Sequence, residues 1–147
     1  GFILDSNFDP SLILFPIFPL IFLMHFHTVY NASLIQKSVA NKELDFKWLK
    51  YMNGWEEIPN DIQSSRELYK NLFQAPLLFL IFCLCAFVVQ HVTIINLTLA
   101  WLYVVLRIWH YCVRAINPKL STRMRPFKYS VITSSLLWID LLIFLLK

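Results

Sequence analysis

Residues 71–106, a run of 36 positions, contain no Asp, Glu, Lys or Arg. As one helix the run would be ~54 Å long, against a bilayer hydrocarbon core of ~30 Å. Two crossings joined by a tight turn around Gln90-His91-Val92-Thr93 fit that thickness, whereas one crossing does not. Arg107, Arg114, Lys119, Arg123, Arg125 and Lys128 follow, with no acidic residue among them. The chain is therefore expected to live in a membrane, with the lipid bilayer as its first partner.

The rest of the composition narrows the class. The chain is 58% hydrophobic and 15% charged over 147 residues, and its mean hydropathy is +0.58. A soluble core of this size could not hide so many Leu, Ile and Phe residues. The expectation is an all-α membrane protein, one domain over 1–147, built as a four-transmembrane-helix bundle. Gly1 and Gly54 are the two glycines, which argues against glycine-packed helix pairs and phosphate-cradling loops. A net charge of +4 has its use in setting orientation, and no nucleic-acid partner is expected. Cys83, Cys85 and Cys112 offer no metal spacing and no Cys-x-x-Cys, so they read as buried thiols and no metal site is expected.

The spans are placed at about 11–30, 66–90, 96–116 and 127–146. Pro16 and Pro19 would kink the first, as membrane helices tolerate. A cleavable signal peptide is the competing reading there, but a basic n-region and an A-x-A-like site are both missing. Between the first two spans a cytoplasmic loop, 36–65, mixes four lysines with acidic residues and carries Trp48, Tyr51 and Trp55. Lysines beside aromatics suit a segment at headgroup level. The loops after spans one and three, with adjoining helix ends, hold 12 of the 13 Lys and Arg residues. The positive-inside rule then puts both termini outside and both long loops in the cytoplasm. The sequons at Asn31 and Asn96 read as chance, the first being cytoplasmic and the second too close to the membrane.

In the third span Asn96, Tyr103, Arg107, His110, Arg114 and Asn117 recur at steps of 7, 4, 3, 4 and 3, which keeps them on one helix face. Arg107 lies ~16 Å inside the outer end, close to mid-membrane. An arginine there costs ~2.5–3.5 kcal/mol even on the lenient insertion scale, so it needs a partner or a wet cavity. Packing against other helices is one account of this face, and a bound anionic ligand is another. On the second span Glu67, Asn71 and Gln74 share a face, with Arg66 and Lys70 alongside. Glu67 could pair with Arg107 or Arg114, and Asn71 and Gln74 could serve interhelical hydrogen bonds. Asp140 is an intramembrane acid, either functional or bonded to a neighbouring helix. His25 and His27 sit on opposite faces, and His91 belongs to the outer turn.

These residues resemble the MAPEG family, the membrane-associated proteins in eicosanoid and glutathione metabolism. The resemblance rests on Arg66-Glu-Leu-Tyr-Lys-Asn71-Leu-Phe-Gln74-Ala-Pro76-Leu-Leu-Phe79, on Arg107-Ile-Trp-His110, on Asn117 and on Arg123-Met-Arg125-Pro-Phe127. It runs from Ile58 to the end and is closest to the small bacterial branch, which implies a multi-pass protein of the bacterial inner membrane. The resemblance implies a homotrimer with glutathione bound between subunits near the cytoplasmic side. It implies cosubstrate contacts from Arg66, Asn71, Gln74, Arg107 and His110, and thiol activation by Arg123 or Arg125. Lys70, Tyr103 and Arg114, on the same helix faces, join the expected contacts, and Tyr103 or Tyr129 could donate a hydrogen bond to the sulfur. Gln74 stands where many members have Glu, and Arg66 is one position off the commonest spacing.

The chemistry so implied is sound in itself. A nearby arginine favours the thiolate of glutathione over the thiol, and the thiolate then attacks a lipophilic electrophile or peroxide dissolved in the bilayer. The expected function is a glutathione-dependent transferase or peroxidase. The alternative is a protein of the same fold without conjugation, binding another anionic amphiphile or serving as a scaffold. A four-span transporter would want an acidic residue in the first span, and a quinone-linked oxidoreductase would want Cys-x-x-Cys.

Overall fold

The computed structural model describes residues 8–51, 58–116 and 119–147. Regular structure among the described residues is helical throughout. A 3-10 helix at Pro10–Leu14 leads into α1 (Ile17–Ala40), followed by α2 (Phe46–Tyr51), α3 (Asn60–Gln74), α4 (Leu77–Val88), α5 (Ile94–Ile116) and α6 (Leu120–Leu145). Four stretches are long and apolar enough to cross a membrane: Pro10–Ala40, Asn60–Val88, Ile94–Ile116 and Ser121–Leu145.

The long apolar run divides between α4 and α5, and local chemistry explains how. Gln90 takes the left-handed conformation, φ 57°. Its N–H bonds the Phe87 carbonyl while that of His91 bonds the Ala86 carbonyl, a Schellman stop to α4. Thr93 and Asn96 then open α5 with a reciprocal box. Asn96 Oδ1 accepts from Thr93 N at 2.7 Å, and Thr93 Oγ1 accepts from Asn96 N at 3.3 Å. Asn96 Nδ2 also donates to the His91 carbonyl at 3.0 Å. The side chain expected at the top of a ligand-facing stripe is a helix cap.

Helix ends differ from the expected spans in three places. The helix holding the first span runs on to Ala40, and the one holding the second begins at Asn60. That second helix is broken between α3 and α4, because Pro76 has no N–H to offer the carbonyl one turn back. α6 begins at Leu120, so Arg123, Arg125 and Lys128 ride its first turns, and Pro126 lies inside it.

The chain packs as two compact units, one holding the chain up to Phe22 together with Pro76–Lys147, the other Leu23–Ala75. In the first, α5 lies along α6, with α4 and the 3-10 helix packed onto them. Its core contains Ile13, Leu20, Phe79, Phe82, Tyr103, Val104 and Leu137. The Phe79 and Tyr103 rings stack at 4.2 Å, and Phe82 meets Trp138 edge-on at 5.9 Å. In the second unit Leu44, Trp48, Ile58 and Ile62 form a smaller core against Leu34, Ile35 and Val39. There His27 Nε2 lies 2.9 Å from the Ser65 carbonyl, and Ser65 Oγ donates to Asn31 Oδ1 at 2.9 Å, tying α1 to α3. Phe26, Val29, Leu78, Val88, Val105 and Leu142 are exposed, as lipid-facing side chains are.

Candidate functional site

α5 carries two unlike faces. Trp101, Leu102, Val105, Ile108 and Trp109 are exposed and apolar, while Tyr103, Arg107 and His110 are 2%, 1% and 4% exposed. The 4, 3 periodicity therefore places these three polar groups inside the protein and not against lipid. Arg114, one turn further, is half-buried. Asn117, expected to close the stripe, lies outside the described residues. Arg107 heads the largest fully buried side chains. An ion taken so far from water is stable only with compensating groups around it.

His110 is held in one orientation. Its Nδ1 lies 3.0 Å from the Arg123 carbonyl. A carbonyl only accepts, so Nδ1 carries the proton and donates. The ring also sits 5.7 Å from that of Phe127. In the neutral ring this leaves Nε2 with a lone pair, and Nε2 is buried with no hydrogen-bond partner among the described residues. Arg107 and Arg114 stand one turn to either side along the same face. An acceptor flanked by guanidinium groups suits a thiol donor on a ligand that carries negative charge.

Of the three expected catalytic residues, Arg123 alone is joined to this face by a contact the structure records, through its carbonyl to His110. Its side chain is half-buried, and that of Arg125 is exposed. Two helical positions put them ~200° apart around α6, so they cannot serve one site equally. Arg125 lines a shallow groove of about 370 Å³ with Met124, Phe127, Lys128, Val131 and Ile132. Tyr129 is 52% exposed.

The α3 residues fall in the second unit. The Arg66 guanidinium lies 4.9 Å over the Trp48 ring, and Lys70 Nζ donates to Glu67 Oε1 at 2.8 Å. Arg66 and Lys70 line one pocket of about 420 Å³ with residues of α1 and α2. Asn71 is half-buried, and Gln74, the last residue of α3, is exposed.

The ionisable groups that the sequence left open now have local roles. Asp140 Oδ2 lies 2.9 Å from His91 Nε2, and the His91 ring stacks on Phe144 at 4.0 Å. That pair fastens the α4–α5 turn to the far end of α6, opposite the end where His110 meets Arg123. His27 is a tie between α1 and α3. Among the described residues no group of three His, Cys, Asp or Glu side chains could hold a metal ion.

Sequence reasoning missed two things here. The anchoring of His110 by a backbone carbonyl 13 positions away has no signature in residue type. The pocket on α1 and α2 had one, in Trp48 set among lysines and Asn31 near the charged end of the first span. The MAPEG family model matches residues 13–143, covering both units and nearly all of the four candidate spans. No curated protein and no solved structure gives a significant match.

Proposed function

This chain belongs to the MAPEG family, and on that premise we propose that it binds glutathione and joins it through its sulfur to lipophilic electrophiles or reduces lipophilic peroxides with it. The observation that supports this most is the buried Tyr103, Arg107 and His110 face of α5. Glutathione is a peptide anion with a thiol. Arg107 and Arg114 would hold its carboxylates, and the His110 Nε2 lone pair would accept from its thiol. Asn71 and Gln74 are the contacts proposed from α3. Arg66 and Lys70 are reserved for another role, because their side chains line the pocket against α1 and α2.

Arg123 is the proposed activating residue, in preference to Arg125, because it is the one joined to His110. A guanidinium near the sulfur lowers the thiol pKa, so the proton leaves to solvent and the thiolate remains. In conjugation the sulfur lone pair forms a C–S bond and the leaving group departs with the electron pair of its own bond. In peroxide reduction one glutathione takes an oxygen atom and a second condenses with it. The peroxide becomes an alcohol and two glutathione molecules become one disulfide plus water. The protein itself needs no nucleophile.

The assembly proposed is a homotrimer in a bacterial inner membrane, both termini outside, with glutathione entering from the cytoplasmic side. A second reading, the same fold without conjugation, is favoured by Gln74. A neutral amide cannot pair with an ammonium as a carboxylate does. Equilibrium dialysis of glutathione against the purified full chain, followed by conjugation of an apolar aryl halide, separates the two. Binding with turnover supports the enzyme, whereas no binding at millimolar glutathione removes it and leaves the second reading.

A further inference from the structure

The pocket of the second unit is built from three helices. α1 supplies Thr28, Asn31, Ala32 and Ile35, at the i, i+3, i+4, i+7 spacing of one face; α2 supplies Trp48 and Leu49; α3 supplies Arg66, Tyr69 and Lys70. Its volume of about 420 Å³ is in the range of small-molecule sites. Two cations line it, Arg66 and a Lys70 whose Nζ is held by Glu67 Oε1 at 2.8 Å, and no carboxylate is itself among the lining residues. Asn31 Oδ1 is already taken by Ser65 Oγ, so the atom it can offer a ligand is Nδ2, a donor. The remaining lining is apolar or aromatic.

Depth matters as much as chemistry. From Pro10 the chain is helical almost without break to Ala40. Asn31 lies 21 residues along it, ~32 Å at helical rise, just past a hydrocarbon core of ~30 Å. A crossing that begins at Pro10 puts the pocket at headgroup level. Beside it on α1, Val29 is exposed for acyl chains, and beyond it Lys37, Lys47 and Lys50 are exposed.

We propose that this pocket holds the phosphate headgroup of an anionic membrane phospholipid. The Arg66 guanidinium meets the phosphate, the Lys70 ammonium is shared between it and Glu67, Asn31 Nδ2 and the Tyr69 hydroxyl donate to it, and the acyl chains descend past Val29. The apolar floor and the depth favour a lipid over a free phosphate. This inference does not rest on glutathione binding, and it would survive the loss of that reading.

The test uses the delipidated full chain in neutral detergent. Native mass spectrometry follows retention of phosphatidylglycerol and, separately, phosphatidylcholine. Quenching of tryptophan fluorescence by the same lipids brominated on their chains gives a second readout on the wild type alone. The expected result is preferential retention of phosphatidylglycerol, weakened by salt. Arg66→Gln should lower retention about fivefold, the worth of one cation at a charged surface. Ala32→Trp, which fills the pocket from α1, should abolish retention and leave glutathione binding unchanged. Equal retention of both lipids overturns the proposal, as does undiminished phosphatidylglycerol binding by a folded Ala32→Trp variant. Displacement of the lipid by inorganic phosphate or by glutathione would assign the pocket to a soluble anion and overturn it too. Should either variant fail to fold, quenching of the wild type by brominated phosphatidylcholine equal to that by brominated phosphatidylglycerol still refutes it.

Discussion

Asn96→Ala separates a cap from a ligand contact. Asn96 is fully buried, and its side chain accepts from Thr93 N at 2.7 Å and donates to the His91 carbonyl at 3.0 Å. Alanine removes both bonds and leaves a buried backbone N–H and a buried carbonyl. Each orphaned group costs ~1–3 kcal/mol. Hydrogen bonds between membrane helices average only ~0.6 kcal/mol, because the unfolded chain in a bilayer finds other partners. Here the partners are backbone groups of a non-helical turn, which a bilayer tolerates only where they are satisfied within the protein. The larger figure should win, giving a loss of ~2–6 kcal/mol for the two groups together. The assay is reversible unfolding in mixed detergent micelles, with Thr98→Ala as control. Thr98 is exposed and its hydroxyl donates to the Ile94 carbonyl of its own helix, so its loss should stay within ~0.5 kcal/mol. Both variants also remove the Asn96 sequon, which eliminates glycosylation as an explanation of a difference. Glutathione affinity should be unchanged by Asn96→Ala. Stability within ~0.5 kcal/mol of wild type would refute the capping account.

Other consequences follow from the same contacts. Asp140→Ala leaves the 9%-exposed His91 without its 2.9 Å partner and should cost ~1–3 kcal/mol in the same unfolding assay; an unchanged midpoint would mean that the pair contributes nothing. Leu137→Ala, at a fully buried position, should cost ~2–5 kcal/mol, whereas Leu142→Ala, 56% exposed, should cost well under half as much; equal losses would contradict the assignment of core and lipid faces. Arg125→Ala should leave turnover within about twofold, whereas Arg123→Ala should lower it by at least tenfold with glutathione binding largely kept, a difference of ~1.4 kcal/mol or more at the transition state. The reverse ranking, from steady-state kinetics, would exchange the two arginines.

Much of the architecture was legible because a bilayer imposes few solutions. The charge-free run 71–106 had to turn back, and it does so at Gln90. The 4, 3 steps of Tyr103, Arg107 and His110 had to share a face, and that face is buried. The failures have physical causes as well. The second candidate span does run through Pro76, but hydropathy has no term for a missing N–H and so could not show the break there between α3 and α4. Charge lowers hydropathy without ending a helix, so the fourth span was started after Arg123 and Arg125, which ride the first turns of α6. Periodicity could not tell that Asn96 serves its own helix terminus. The tie from His110 to the Arg123 carbonyl and the meeting of His91 with Asp140 depend on how α5 lies along α6, and nothing local in the sequence encodes that.

The ultraviolet difference spectrum of glutathione bound to the purified full chain at neutral pH bears most directly on the buried cationic face. A thiolate band is predicted for the wild type and for Arg125→Ala, with binding lost in Arg107→Gln and the band lost in Arg123→Ala. Glutathione bound only as the neutral thiol, or a thiolate band that persists in both Arg107→Gln and Arg123→Ala, would contradict the account.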